Sequence, residues 1–127
     1  MALLDTHIWA WSLAEPSNLS SIARQRLAES DLVIVSAVTF YEISLKVHLD
    51  KWPQMIPYMS RLPDLAQEQS VYVAPVTAEL ALLAGSLNWA HRDPFDRHLA
   101  ATALKFGVDL ISADKAFDSL PGLRRIW

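Results

Sequence analysis

The chain has 127 residues, of which 52% are hydrophobic and 20% charged, a balance that fits one domain with an ordinary buried core and excludes a disordered segment. It contains no cysteine, so disulfides, thiolate metal sites and thiol nucleophiles are excluded, and any metal must be held by oxygen or imidazole. The formal charge of −3 argues against indiscriminate binding of a polyanion, because nucleic-acid affinity usually rests on basic side chains that displace counterions. No apolar run approaches the roughly 20 residues that span a bilayer, and Met1 leads straight into Leu3, Leu4 and Asp5 without a basic leader. A cytoplasmic protein with no membrane attachment is therefore expected.

Residues 2–5 are a short apolar run ending in a carboxylate, the pattern of a buried strand. A helix follows through Trp9, Trp11 and Leu13 and stops at Pro16. Trp9 and Trp11 cannot share one helix face, so one of them is expected near the surface or at an interface. Ser20 and Ser21 can cap a second helix whose inner face is Ile22, Ala23 and Leu27. Leu32 to Val35 is a continuous aliphatic strand of the kind covered on both sides by helices. Thr39 to Leu49 reads as a helix with Phe40, Ile43 and Val47 on one stripe, and Pro53, Pro57 and Pro63 then break the chain into short helices. In that region Trp52, Met55, Tyr58 and Met59 either pack in the core or line a groove for a partner helix.

Val71, Val73 and Val76 suggest a third strand, and Thr77 opens a helix carrying Leu80, Leu83 and Leu87. After a loop over Asn88 to Asp93, Pro94 suits the first position of a helix that ends at Gly107. Val108 to Ser112 is a further buried strand, and a short turn after Asp114 leads through Pro121 and Gly122 to a final strand at Arg124 to Trp127. Strands alternating with helices imply an α/β fold, a three-layer α/β/α sandwich around a mostly parallel sheet.

In such a sheet, ligands bind beyond the carboxyl ends of the strands. Asp5 and Asp114 each follow a strand, while Glu42 and Asp96 fall in the first turns of helices that follow strands or loops at that edge. Taken singly, each has a structural explanation. Asp5 and Asp114 can cap the helical turns after them, Glu42 stands at capping-box spacing from Thr39, Asp93 is a good N-cap before Pro94, and Asp96 complements a helix dipole. Taken together, four acids from distant parts of the chain converge. Such a crevice is tolerable when a hard dication pairs with it, and magnesium or manganese leaves positions free for a substrate phosphate. It can orient and acidify water for in-line attack on phosphorus. With four acids around metal, the other 10 acidic residues face 11 Lys and Arg, leaving a nearly neutral remaining surface. Gly85, Gly107 and Gly122 form no phosphate-binding loop.

The segments Leu-Leu-Asp-Thr-His-Ile-Trp-Ala-Trp at 3–11, Ser-Ala-Val-Thr-Phe-Tyr-Glu-Ile-Ser-Leu-Lys at 36–46, His-Arg-Asp-Pro-Phe-Asp-Arg at 91–97 and Ile-Ser-Ala-Asp at 111–114 resemble the successive signatures of PIN-domain, VapC-like proteins. The resemblance spans the chain in the family's order. It implies a single PIN domain over residues 1–127, a Mg2+-dependent endoribonuclease in which Mn2+ can substitute, and metal-site roles for Asp5, Glu42, Asp96 and Asp114 with Asp93 beside them. It also implies the toxin of a toxin–antitoxin pair, silenced by a VapB-like antitoxin, acting on RNA and forming a homodimer.

Near these acids, the hydroxyls of Thr6 and Ser112 either serve water and carboxylate orientation or make local turn bonds. Arg92, Arg97 and Lys115 flank the crevice and either hold RNA phosphates or stay solvated. Lys46, four residues after Glu42, reads as a helical ion pair. His7, His48, His91 and His98 lack zinc spacing. The alternatives are a non-catalytic regulatory module whose crevice binds a cation or partner, and a receiver-like or phosphatase domain. The latter usually needs an adjacent acidic pair or Asp-x-Asp, which this chain lacks.

Overall fold

The computed structural model describes residues 1–127. Five strands, β1 (Ala2–Leu4), β2 (Val33–Ser36), β3 (Tyr72–Ala74), β4 (Asp109–Ile111) and β5 (Arg125–Ile126), form one sheet in the order β3-β2-β1-β4-β5. Every neighbouring pair is parallel. The six α-helices are α1 (Thr6–Ala14), α2 (Ser21–Glu29), α3 (Ala37–His48), α4 (Leu62–Glu68), α5 (Ala78–Ser86) and α6 (Pro94–Phe106).

The period of two along a strand sorts the core into two layers. Leu3 is in register with Ile34 and Leu110, and these three pack with Leu99, Ala100 and Ala103 of α6 and with Phe117. Leu4 is in register with Val35 and Ile111, and these pack on the other side with Ile8, Trp9, Ala23, Ile43 and Met55. Each fully buried Leu or Ile contributes roughly 1.5–3 kcal/mol relative to exposure. The expected three-layer α/β/α arrangement is therefore present, with the sheet wholly parallel. No helix is long and apolar enough to cross a membrane.

Several local expectations are corrected. The third helix begins at Ala37, not Thr39, because the Ser36 hydroxyl ends β2 and accepts the Val38 N–H at 3.2 Å. The proposed Thr39–Glu42 capping box does not form. Thr39 is instead buried, with its hydroxyl 3.1 Å from that of Thr6. Ile22 is exposed, leaving Ala23 as the buried residue of α2. Val71 and Val76 lie outside β3, and the final strand is confined to Arg125 and Ile126.

The proline-rich segment forms a 3-10 helix over Pro53–Arg61 and then α4. Met55 is fully buried and Trp52 nearly so, with Tyr58 and Met59 against the same core, so this cluster is packing rather than an open groove. Trp9 is buried and donates its indole N–H to Gln69 Oε1 at 3.0 Å, while Trp11 is half-buried. The last long helix keeps the expected limits, Asp93 and Pro94 at its start and Gly107 at φ +64° at its end, a left-handed cap that glycine adopts freely.

Candidate active site

β1 is the central strand, and Asp5 is the first residue beyond it. Asp5 occupies the N-cap position of α1, yet its side chain caps nothing. Its Oδ2 instead accepts a 2.6 Å hydrogen bond from Ser112, the first residue beyond the adjacent β4. The Ser112 hydroxyl also accepts the backbone N–H of Asp114 at 3.0 Å. Ser112 thereby makes both of the bonds considered for it, one to the Asp5 carboxylate and one a local turn bond from the Asp114 N–H. Asp114 caps the short 3-10 turn Lys115–Ser119 through the Ala116 N–H at 2.9 Å.

Glu42, on α3, is 4% exposed. Its Oε2 lies 2.6 Å from Lys46 Nζ, the expected ion pair, whereas Oε1 is buried with no hydrogen-bond partner. Such an orphan is costly, since a buried carboxylate oxygen has lost water without replacement. In the first turn of α6, Asp96 Oδ2 is 2.6 Å from His91 Nε2. Asp93 caps α6 by accepting the N–H groups of Phe95 and Asp96 at 2.8 and 3.1 Å.

All five acids line one open cavity of about 370 Å³, joined by Lys46, His7, Trp11 and Ala113. No three acidic or imidazole groups stand in finished ligand geometry, each acid being tied to a protein partner instead. Burial pushes the Asp5 carboxyl up, aided by the charge of Glu42 and opposed by the Ser112 hydrogen bond and by His7. Asp96 is pushed up to about 6, chiefly by burial, with the charges of Asp5 and Asp93 adding to it and the His91 hydrogen bond opposing it. A donor set made of hard oxygens, one of them unpartnered, whose charge is disfavoured without a cation, fits Mg2+ or Mn2+.

The remaining candidates divide. Thr6 is fully buried against Thr39 and does not reach the cavity. Arg97 is not free for phosphates, because its guanidinium donates to the carbonyls of Ala84, Gly85, Leu87, Trp89 and His91 at 2.8–3.3 Å. Arg92 and Lys115 are exposed and lie outside the cavity lining. His7, Trp11 and His91 are site residues that the sequence alone does not single out, and Lys46 reads there only as an ion pair. One usable signal was spacing, since His7 and Trp11 are four residues apart and must share a face of the helix that follows Asp5.

The PIN domain model matches residues 2–123. The chain belongs to the PIN-domain family. It is 32% identical over 118 residues to ribonuclease VapC22 of Mycobacterium tuberculosis, covering 92% of this chain and 89% of that relative. Among solved structures, VapBC2 from Rickettsia felis, bound to a DNA fragment from its promoter, superposes with a TM-score of 0.68 at 16% identity, covering 98% of this chain and 96% of the other. VapC20 of M. tuberculosis, described as a sarcin-ricin loop cleaving toxin, gives 0.60 at 19% identity with 98% and 99% covered. At those identities the two structures speak for the PIN fold.

Proposed function

We propose that this PIN domain is a divalent-metal-dependent endoribonuclease and the toxin of a toxin–antitoxin pair. The observation that carries this reading is the convergence of Asp5, Glu42, Asp96 and Asp114, from four separate elements, on one cavity. Similarity to a ribonuclease of the VapC group over most of both chains supports RNA as the substrate. Kinship with VapBC assemblies supports an antitoxin partner of the VapB type, and a homodimer belongs to the same reading.

In this mechanism Asp5, Glu42, Asp96 and Asp114 would hold Mg2+ or Mn2+, with Asp93 beside them. When bound, the metal supplies the positive charge that receives a phosphodiester and lowers the pKa of water for in-line attack on phosphorus. Ser112 keeps Asp5 oriented toward the cavity. His91 holds the Asp96 carboxyl, and Lys46 pairs with Glu42 Oε2, leaving Oε1 as the oxygen that would face a cation. Asp93 serves α6 first, since its Oδ1 is already committed to two backbone N–H groups.

Purified protein should cleave RNA in Mg2+ or Mn2+ and stop in chelator. Asp5→Asn and Asp96→Asn should each lower the rate by at least about a hundredfold while the circular dichroism spectrum is retained. Full activity in both variants would overturn the assignment. Co-expression with the product of a neighbouring short reading frame should restore growth to cells arrested by the chain, and size-exclusion chromatography with light scattering measures the expected dimer.

A further inference from the structure

Beside the carboxylates the cavity is lined by the rings of His7 and Trp11, and Lys46, paired with Glu42, is the only lysine or arginine on the lining. His7 and Trp11 share a face of α1 and both border the cavity while half-buried. The His7 imidazole stacks on the Trp52 indole with centres 4.6 Å apart and planes at 28°. Trp11 stands edge-on to His7 at 5.9 Å and 63°, and Trp127 braces it from 6.1 Å. Lys46 Nζ lies 5.5 Å from the Trp52 ring centre.

A core would enclose these rings, and a cation site has no use for them. A flat ring has two stacking faces, and Trp52 covers one face of His7. A planar, aromatic occupant can extend the Trp52–His7 column on the other side, with Trp11 as a side wall. Nucleobases are such occupants, because each has a π-face that stacks on aromatic side chains regardless of its hydrogen-bonding edge.

We propose that His7, backed by Trp52 and walled by Trp11, is a nucleobase-stacking subsite beside the carboxylates, which holds the base of a nucleotide next to the bond to be cut. The proposal rests on the nuclease reading and adds the residues that seat the base. Lys46, on a flexible stem with three donors, is the cation on the lining that can pair with the phosphate of the stacked nucleotide.

Calorimetric titration of the intact protein in Mg2+ tests this with two ligands that contain no bond for it to hydrolyse, adenosine 5′-monophosphate and ribose 5-phosphate. The nucleotide should bind about tenfold more tightly, as one aromatic stack provides. His7→Ala should erase that preference, and His7→Phe should keep it, which a ligand or proton-transfer role for the imidazole would not allow. Thermal melts check that both variants fold, and His7→Phe retains the packing on Trp52 if the alanine variant does not. Equal affinity for the two ligands, binding of neither, or a preference unchanged in His7→Ala overturns the subsite. RNA cleavage by the parent without tighter binding of the nucleotide than of ribose 5-phosphate would sink the subsite and leave the nuclease standing; tighter binding of the nucleotide without cleavage would do the reverse.

Discussion

At Asp96, burial outweighs the hydrogen bond with His91 and pushes the carboxyl up to about 6. Its folded value exceeds the unfolded one, so between about pH 4 and 6 the native state binds more protons than the unfolded state, and stability falls as pH rises through that window. Asp5 acts in the same direction. In chelator, Asp96→Asn should therefore be more stable than the parent at pH 7, by about 1 kcal/mol after allowance for solvent screening, and its melting temperature should decline less between pH 4 and 6. Melts across that range measure it, and a variant less stable at pH 7 would contradict it. Ser112→Ala should weaken Mn2+ binding about tenfold by calorimetry, because Asp5 loses its orienting donor. Asp5, Asp96 and Asp114 were legible in the sequence because each follows a strand or opens a helix, whereas Glu42 stands in the second turn of α3, which begins at Ala37. The double service of Ser112 was half legible, since its bond from the Asp114 N–H is a local turn two residues long, whereas Asp5 is brought to the same hydroxyl by strand register.

The elements that hold the site differ in how openly they announce themselves. The aliphatic runs of β1, β2 and β4 were readable because a strand covered on both faces has no polar alternation to obscure it. The start of α3 was not, because Ser36 is at once the last strand residue and the cap, and Thr39 imitated a cap from inside the helix. Arg97 misled for another reason. A sequence displays its charge but not the five carbonyls, from Ala84 to His91, that turn inward to receive it. This guanidinium ties the end of α5 and the loop before α6 to the helix carrying Asp96. Arg97→Ala should cost roughly 2–4 kcal/mol in denaturant unfolding and speed amide exchange over residues 87–93. Arg97→Lys should rescue little, since an ammonium cannot fork to several carbonyls. Wild-type stability in Arg97→Ala would show the network to be inert.

Over the whole molecule, the carboxylates gathered in one cavity make a local negative field within a chain of formal charge −3. A cation that binds the native state and not the unfolded one stabilises it by mass action. Mg2+ at millimolar concentration should therefore raise the melting temperature of the parent, and the increment should vanish in Asp5→Asn; an equal increment in both would mean that the ion binds elsewhere. The layered architecture could be read from alternating strands and helices, but the aromatic part of the cavity lining could not. Its rings come from α1 and from Trp52, and only the packing of Trp52 beneath His7 makes them one surface.

The bond from Ser112 to Asp5 spans 107 positions of sequence, and β1 has its two partners in β2 and β4. Parallel pairings of such long range form late, because loop closure must precede any reward. A nascent polypeptide of this topology thus has no complete carboxylate cavity until Asp114 has been added and β4 has slotted in beside β1.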